Sequence, residues 1–398
     1  MRRLNLFSFL VAGLVFLGFS SAAFAQTIKI GAVVPLTGRY AALGAQVRAG
    51  YEIAVQHVNA AGGVSVGGKE MRLELVMLDD ESDPTKTVAR LETLATQGVV
   101  AYLGGAGSDL HGAAASIADK NKIPYLGIAF ALHGIHKQGL RYLFSPFPKS
   151  PDLAKETFAF LDGSIPAAQR PRKLALFLER TDWGKEMGSL WQSTAKQYGY
   201  QVAASGEYAP GAKDFSELIL KAKSAAAEAV LALPSPPDGM TIFKQMKELD
   251  FNPKAAVFIR APDPPVWSKN LGKDGDYVLF SPGWHFAARY PKVADVNEAH
   301  QKQFNRPPDP LVGPSYACVQ ILADAIARAG TLDRDKIRDA VAATKMTTVV
   351  GPVRFRPDGT GEVKVFFQQW LNGKQELIWP KEFATAKFAY PATPFNRR

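Results

Sequence analysis

The stretch MRLELVMLDDESDPTKTVARLETLATQGVVAYL, residues 71–103, holds one complete strand–helix–strand unit. Met71–Leu78 reads as a strand. Asp83-Pro84 then supplies a helix N-cap and a first-turn proline, and Val88, Leu91, Leu94 and Ala95 share one helical face up to Gly98. Val99–Leu103 is the returning strand. The alternation continues on both sides. Upstream, Ile28–Val34 is a buried strand and Pro35-Leu-Thr-Gly38 a loop. A helix follows in which Val47, Tyr51, Ala54, Val55 and Val58 recur at helical spacing, until Ala61-Gly62-Gly63 ends it. Downstream come Gly104-Gly-Ala-Gly-Ser-Asp109, another helix, and a strand at Ile123–Ile128. Repeated strand–helix alternation favours parallel sheets covered by helices, an α/β class.

Near residue 146 the pattern pauses at Ser145-Pro-Phe-Pro148, and it restarts at Ser150-Pro151. A second α/β run then carries strands near Leu174–Leu178, Gln201–Tyr208, Ala229–Leu233, Ala255–Ile259 and Tyr277–Phe280. Helices near Lys185–Tyr198, Phe215–Ala226 and Gly239–Leu249 separate them. Helical stretches follow at Val293–Phe304, Ser315–Ala329 and Asp333–Ala343. The tail reads as β-hairpin, with turns at Asp358-Gly359 and Asn372-Gly373.

Arg2 and Arg3, an apolar run from Leu4 to Phe19, and Ala23-Phe24-Ala25 form a cleavable export leader over residues 1–25. No cysteine follows that site, so a lipid anchor has no attachment point. The remaining roughly 370 residues are too many for one ordinary core and predict two domains. Cys318, the single cysteine, excludes an intrachain disulfide, and its flanks place it in a helix core. The formal charge of +10 becomes +8 once Arg2 and Arg3 are cleaved off. The basic residues are scattered among acids instead of clustering with aromatics, which argues against nucleic acid as a partner.

The ordered motifs carry a family resemblance. Ile28-Lys-Ile-Gly-Ala-Val-Val-Pro-Leu-Thr-Gly38, Asn59-Ala-Ala-Gly-Gly63, Leu78-Asp-Asp-Glu-Ser-Asp-Pro84 and Tyr102-Leu-Gly-Gly105 come first. Ile123-Pro-Tyr-Leu126, Thr181-Asp-Trp-Gly184 and Lys213-Asp-Phe215 follow. Together, from residue 27 to residue 375, the chain resembles the periplasmic leucine/isoleucine/valine-binding proteins of ABC transporters. The resemblance implies a type I periplasmic-binding fold: two doubly wound lobes joined by three crossovers, with ligand in the cleft between them. Residues 27–146 and 285–350 would form the first lobe, and 147–284 and 351–398 the second. The crossovers would fall near Ser145–Pro148, Ser281–Trp284 and Val350–Val353. It also implies a periplasmic, monomeric protein that delivers a small molecule to an inner-membrane permease.

Ligands of such sheets bind where loops and helix N-termini meet the carboxyl ends of strands. Ser108, at the start of a helix, matches the family serine that binds the ligand carboxylate, and helix N–H groups favour an anion there. Asp109 beside it would oppose that anion unless it points away. Ala129 can offer a carbonyl, whereas Ala131 replaces a family threonine and lacks its hydroxyl. Asp263 falls near the family's ammonium-binding acid, with Arg260 close by to repel an ammonium. Ser235 stands in a proline-rich loop where the family has a tyrosine. Trp183, in the loop before the Lys185 helix, offers a stacking surface, and Leu43 matches a wall position. Trp284 stands beside a crossover, either in the cleft or in packing. The carboxylate end is retained and the ammonium end is weakened, so a branched-chain amino acid competes with a small carboxylate, aromatic ones included, or an amide.

Catalytic constellations do not assemble. Asp79-Asp80-Glu81 with Asp83 reads as capping. His133 and His136 lack companions for a zinc set. Gly104-Gly-Ala-Gly107 does not fit a dinucleotide fingerprint, and no nucleophile elbow occurs. The sequence therefore predicts a binding protein without catalytic residues, metal or cofactor. The alternative is a ligand sensor of the same fold that signals to a membrane receptor.

Overall fold

The computed structural model describes residues 27–398; the expected leader, residues 1–25, lies outside them. Two mostly parallel sheets covered by helices, with a separate two-stranded antiparallel pair, form the described residues, the α/β class read from the sequence. In the first sheet the strands run Val64–Val66, Lys69–Asp79, Thr27–Val34, Ala101–Leu103, Tyr125–Leu126, Leu143–Phe144. All neighbours are parallel except the antiparallel pair at the Val64–Val66 edge. The second sheet runs Lys374–Trp379, Phe367–Leu371, Val278–Phe280, Ala255–Phe258, Ala229–Ala232, Lys173–Glu179, Gln201–Tyr208. Its last two strands in sequence add on antiparallel.

Local chemistry explains the elements. The Asp83 carboxylate accepts the N–H groups of Thr85 at 2.7 Å and Lys86 at 3.2 Å, which starts the helix Pro84–Thr96. Asn372 and Gly373, at φ +50° and +71°, make the tight turn between Phe367–Leu371 and Lys374–Trp379. Two helix starts differ from the sequence reading. Thr181 accepts the Gly184 N–H at 3.1 Å, so the helix spans Asp182–Gln197 and Trp183 lies in its first turn, not in a preceding loop. Ser235 caps the helix Pro236–Glu248, so Pro236 and Pro237 are first-turn residues, a position that needs no proline N–H.

The chain passes between the first core and the second three times. The passages follow Phe147, separate Phe280 from Trp284, and separate Phe355 from Val365. The third lies beyond the expected Val350–Val353. Lys345–Thr348 and Gly351–Arg354 pair with each other, and Val353 and Phe355 stay in the first core.

Trp284 is packing, not cleft. Its ring is fully buried, its Nε1 donates to the Val349 carbonyl at 2.9 Å, and it lies against Gly313. A Cβ on Gly313 would stand 2.2 Å from that ring. Gly313→Ala should therefore destabilise the protein by about 1–3 kcal/mol, read as a lower melting temperature. An unchanged melting temperature would show that the ring can give way. Cys318 is buried in the same core, and burial raises its thiol pKa. No helix among the described residues is long and apolar enough to cross a membrane.

Candidate functional site

One cavity between the two sheets gathers residues from distant parts of the chain. Leu43, Ser108, Ala129 and Ala131 line it from one side; Trp183 and Asp263 line it from the other. Phe130, Phe147, Leu153, Ile259 and Leu311 complete its apolar walls, and Arg260 and Ser281 add polar groups. The space inside it that a water-sized sphere can occupy is about 30 Å³, so the walls stand close together in this state. Its lining is mostly apolar, with a few converging polar groups, which is the character of a small-molecule site. Ser235 does not line it. Its Oγ accepts the Asp238 N–H at 3.4 Å, so helix capping accounts for this residue.

Ser108 begins the helix Ser108–Asn121. Its Oγ accepts long bonds from the Ala131 and Leu132 N–H groups, at 3.3 and 3.4 Å, which leaves the hydroxyl proton to donate. With the helix N–H groups behind it, this corner is electropositive. Asp109 does not spoil it. That carboxylate pairs with Arg39 and accepts the Tyr40 hydroxyl at 3.1 Å, outside the cavity lining. The Ala129 carbonyl accepts the Gly107 N–H at 3.1 Å and keeps a second lone pair. The Ala131 carbonyl is occupied by both the N–H and the Oγ of Ser150, each at 2.8 Å. Ala131 therefore has no backbone acceptor to spare. Trp183 donates from Nε1 to Ser150 Oγ at 3.2 Å, which fixes its ring in the wall.

Arg260 is spoken for. Its guanidinium bonds Glu179 at 3.0 Å, the Leu233 carbonyl at 2.8 Å and the Tyr40 hydroxyl at 3.2 Å, and lies over both the Trp183 and Tyr40 rings. The Glu179 carboxylate neutralises it, so the expected repulsion of a nearby ammonium is largely cancelled. The residue sits at φ +83°, a region that costs a side-chain-bearing residue about 1–3 kcal/mol. The contacts on its guanidinium hold it there. Tyr40 belongs to the first core and Arg260 follows a strand of the second sheet, so this bond joins the two halves at the cavity mouth.

Asp263 is the opposite case. It is 4% exposed, and its Oδ1 has no hydrogen-bond partner. Burial pushes its carboxyl well above the usual carboxylate range and outweighs the opposing pull of Arg260. A buried acid with an unmet oxygen in a cavity wall is ready to receive a donor.

Sequence reasoning missed Tyr40, Glu179, Ser281 and Leu311 as cavity or mouth residues. Ser281 follows the end of strand Val278–Phe280, a place the strand-end rule could have flagged. Nothing local in the sequence marks Leu311, which joins Leu43 in the cavity lining only through the tertiary fold.

The comparisons with known proteins agree with this architecture. The family described as Periplasmic binding protein matches residues 27–375. Leu/Ile/Val-binding protein homolog 8 of Brucella suis biovar 1 (strain 1330) is 25% identical over 394 residues, covering 93% of this chain and 96% of the relative. Among solved structures, a leucine binding protein LivK from Thermotoga maritima MSB8 superposes with a TM-score of 0.80 at 23% identity, over 88% of this chain and 98% of its own. An R. palustris solute binding protein in complex with benzoate gives 0.77 at 18% identity, over 89% and 96%. These two structural likenesses speak for the fold alone, whereas the family match spans most of the sequence: the chain belongs to the periplasmic binding protein family.

Proposed function

We propose that the chain is the substrate-binding component of an ABC transporter, and that it captures an amino acid with an apolar side chain between its lobes. Residues 27–147 with 284–355 form the first lobe and 148–280 with 365–398 the second. Export to the periplasm by the leader at residues 1–25 and delivery to an inner-membrane permease complete the reading. The observation that carries it is the unpaired, buried Asp263 carboxyl in the same cavity as the Ser108 helix start. The Ser108 hydroxyl and the helix N–H groups receive the ligand carboxylate, Asp263 receives the ammonium, and Leu43, Phe147, Leu153, Ile259 and Leu311 cover the side chain. Trp183 closes the wall. Both ligand charges are then met, which a zwitterion requires once water is excluded.

The apolar walls and the protonated state that burial favours for Asp263 support a second reading. A neutral carboxyl donates a hydrogen bond, so a small carboxylate without an amino group also fits. Refolded, ligand-stripped protein separates the two by thermal shift, because a ligand that binds only the native state raises the melting temperature. Leucine, isoleucine, valine and phenylalanine should stabilise more than 4-methylpentanoate and benzoate. The reverse order would replace the first reading by the second.

A further inference from the structure

The cavity holds a second unmet polar group. Ser281 is 3% exposed, lines the same space as Asp263, and its Oγ has no hydrogen-bond partner. Buried hydroxyls are nearly always bonded, so an unmet one lining the same cavity as an unmet carboxyl is open to a partner shared with it. Arg260 is not that partner. Its guanidinium bonds run to Glu179, Tyr40 and the Leu233 and Pro234 carbonyls. With Asp263 ionised, a group that satisfies both orphans presents more than one donor to a carboxylate and a hydroxyl oxygen. A primary ammonium does so with three N–H bonds.

From this geometry we infer that Ser281 is a specificity-determining ligand contact that shares the ligand's primary ammonium with Asp263, an inference that rests on the amino-acid reading above. Its place in the chain adds a consequence. Ser281 lies on the segment between Phe280, in the core of the second sheet, and Trp284, in the first core. A ligand bonded there touches the connecting segment itself. Its grip therefore depends on the angle between the lobes as well as on either wall. The Ser108 corner, which belongs to one lobe only, has no such dependence.

Calorimetric titration of wild type, Ser281→Ala and Ser281→Cys with leucine and with 4-methylpentanoate tests the assignment. The two ligands differ only in the amino group. Ser281→Ala should weaken leucine by about tenfold to a hundredfold, the worth of a hydrogen bond to a charged group, and leave 4-methylpentanoate within about twofold. Ser281→Cys, close to serine in volume and a poorer acceptor, should fall between and guards against a folding defect in the alanine variant. Equal losses for both ligands would make Ser281 structural, and no loss would mean that water satisfies its hydroxyl; either overturns the inference while leaving the amino-acid reading intact. If wild-type protein binds 4-methylpentanoate and not leucine, the amino-acid reading itself falls, visible before any variant is made.

Discussion

Asp263→Asn should weaken leucine binding by about two to three orders of magnitude, the cost of removing one partner of a buried ion pair, and should make the ligand-free protein more stable. The two effects have one cause. In the free protein the Asp263 carboxyl is buried with an unmet oxygen, and burial raises its pKa well above the ordinary value. A folded-state pKa raised above the unfolded value, near 3.9, gives stability that is complete below about pH 4 and is lost as pH climbs through the folded value. Asparagine does not titrate. The melting-temperature advantage of Asp263→Asn over wild type should therefore grow as pH rises from about 4. Bound ammonium reverses the preference of the carboxyl, because it stabilises the ionised form. Below the free-state pKa, leucine binding should then release a proton. Titrations in buffers of different ionisation enthalpy would give different heats for wild type and equal heats for Asp263→Asn. Wild-type affinity in the asparagine variant would place the ammonium elsewhere.

That contrast also marks what the sequence could say. The alternation of apolar strands with capped helices is a local signal, and Asp83-Pro84 or Asn372-Gly373 act within their own neighbourhoods, so the fold class was legible. The strand-end rule led to Ser108, and the family resemblance pointed to Ala129, Trp183 and Asp263; the structure brings all four to one cavity. Misreadings came where a short-range signal had two outcomes. Pro236 and Pro237 suit a loop or a first helical turn, and only the capping bond at Ser235 decides. Val353 and Phe355 suit either core, and the pairing of Lys345–Thr348 with Gly351–Arg354 decides. The charge balance of the site was not legible at all. Arg260 next to Asp263 looked hostile to an ammonium. What cancels it is Glu179, 81 positions away, at the end of another strand.

Glu179→Gln should destabilise the protein by about 3–5 kcal/mol, because it leaves the Arg260 cation buried without a counter-charge. The Glu179 side chain is 1% exposed and that of Arg260 8%, so solvent screening offers little relief. The remaining contacts on the guanidinium, to the Leu233 and Pro234 carbonyls and the Tyr40 hydroxyl, are neutral acceptors and do not replace a carboxylate. Adding Arg260→Met should restore most of the lost stability, because apolar groups can replace a buried ion pair at little net cost. The double variant should nevertheless close poorly. Arg260 reaches across the cavity mouth to Tyr40, and Tyr40 in turn bonds Asp109 at 3.1 Å, so the arginine ties the lobes together only when they are shut. Contacts made in one state alone shift the balance between states by their own free energy. Small-angle scattering should thus show a weaker ligand-induced compaction in the double variant than in wild type, at equal ligand saturation. Equal compaction would confine Arg260 to its own lobe, and an undiminished melting temperature in Glu179→Gln would show that water reaches the pair.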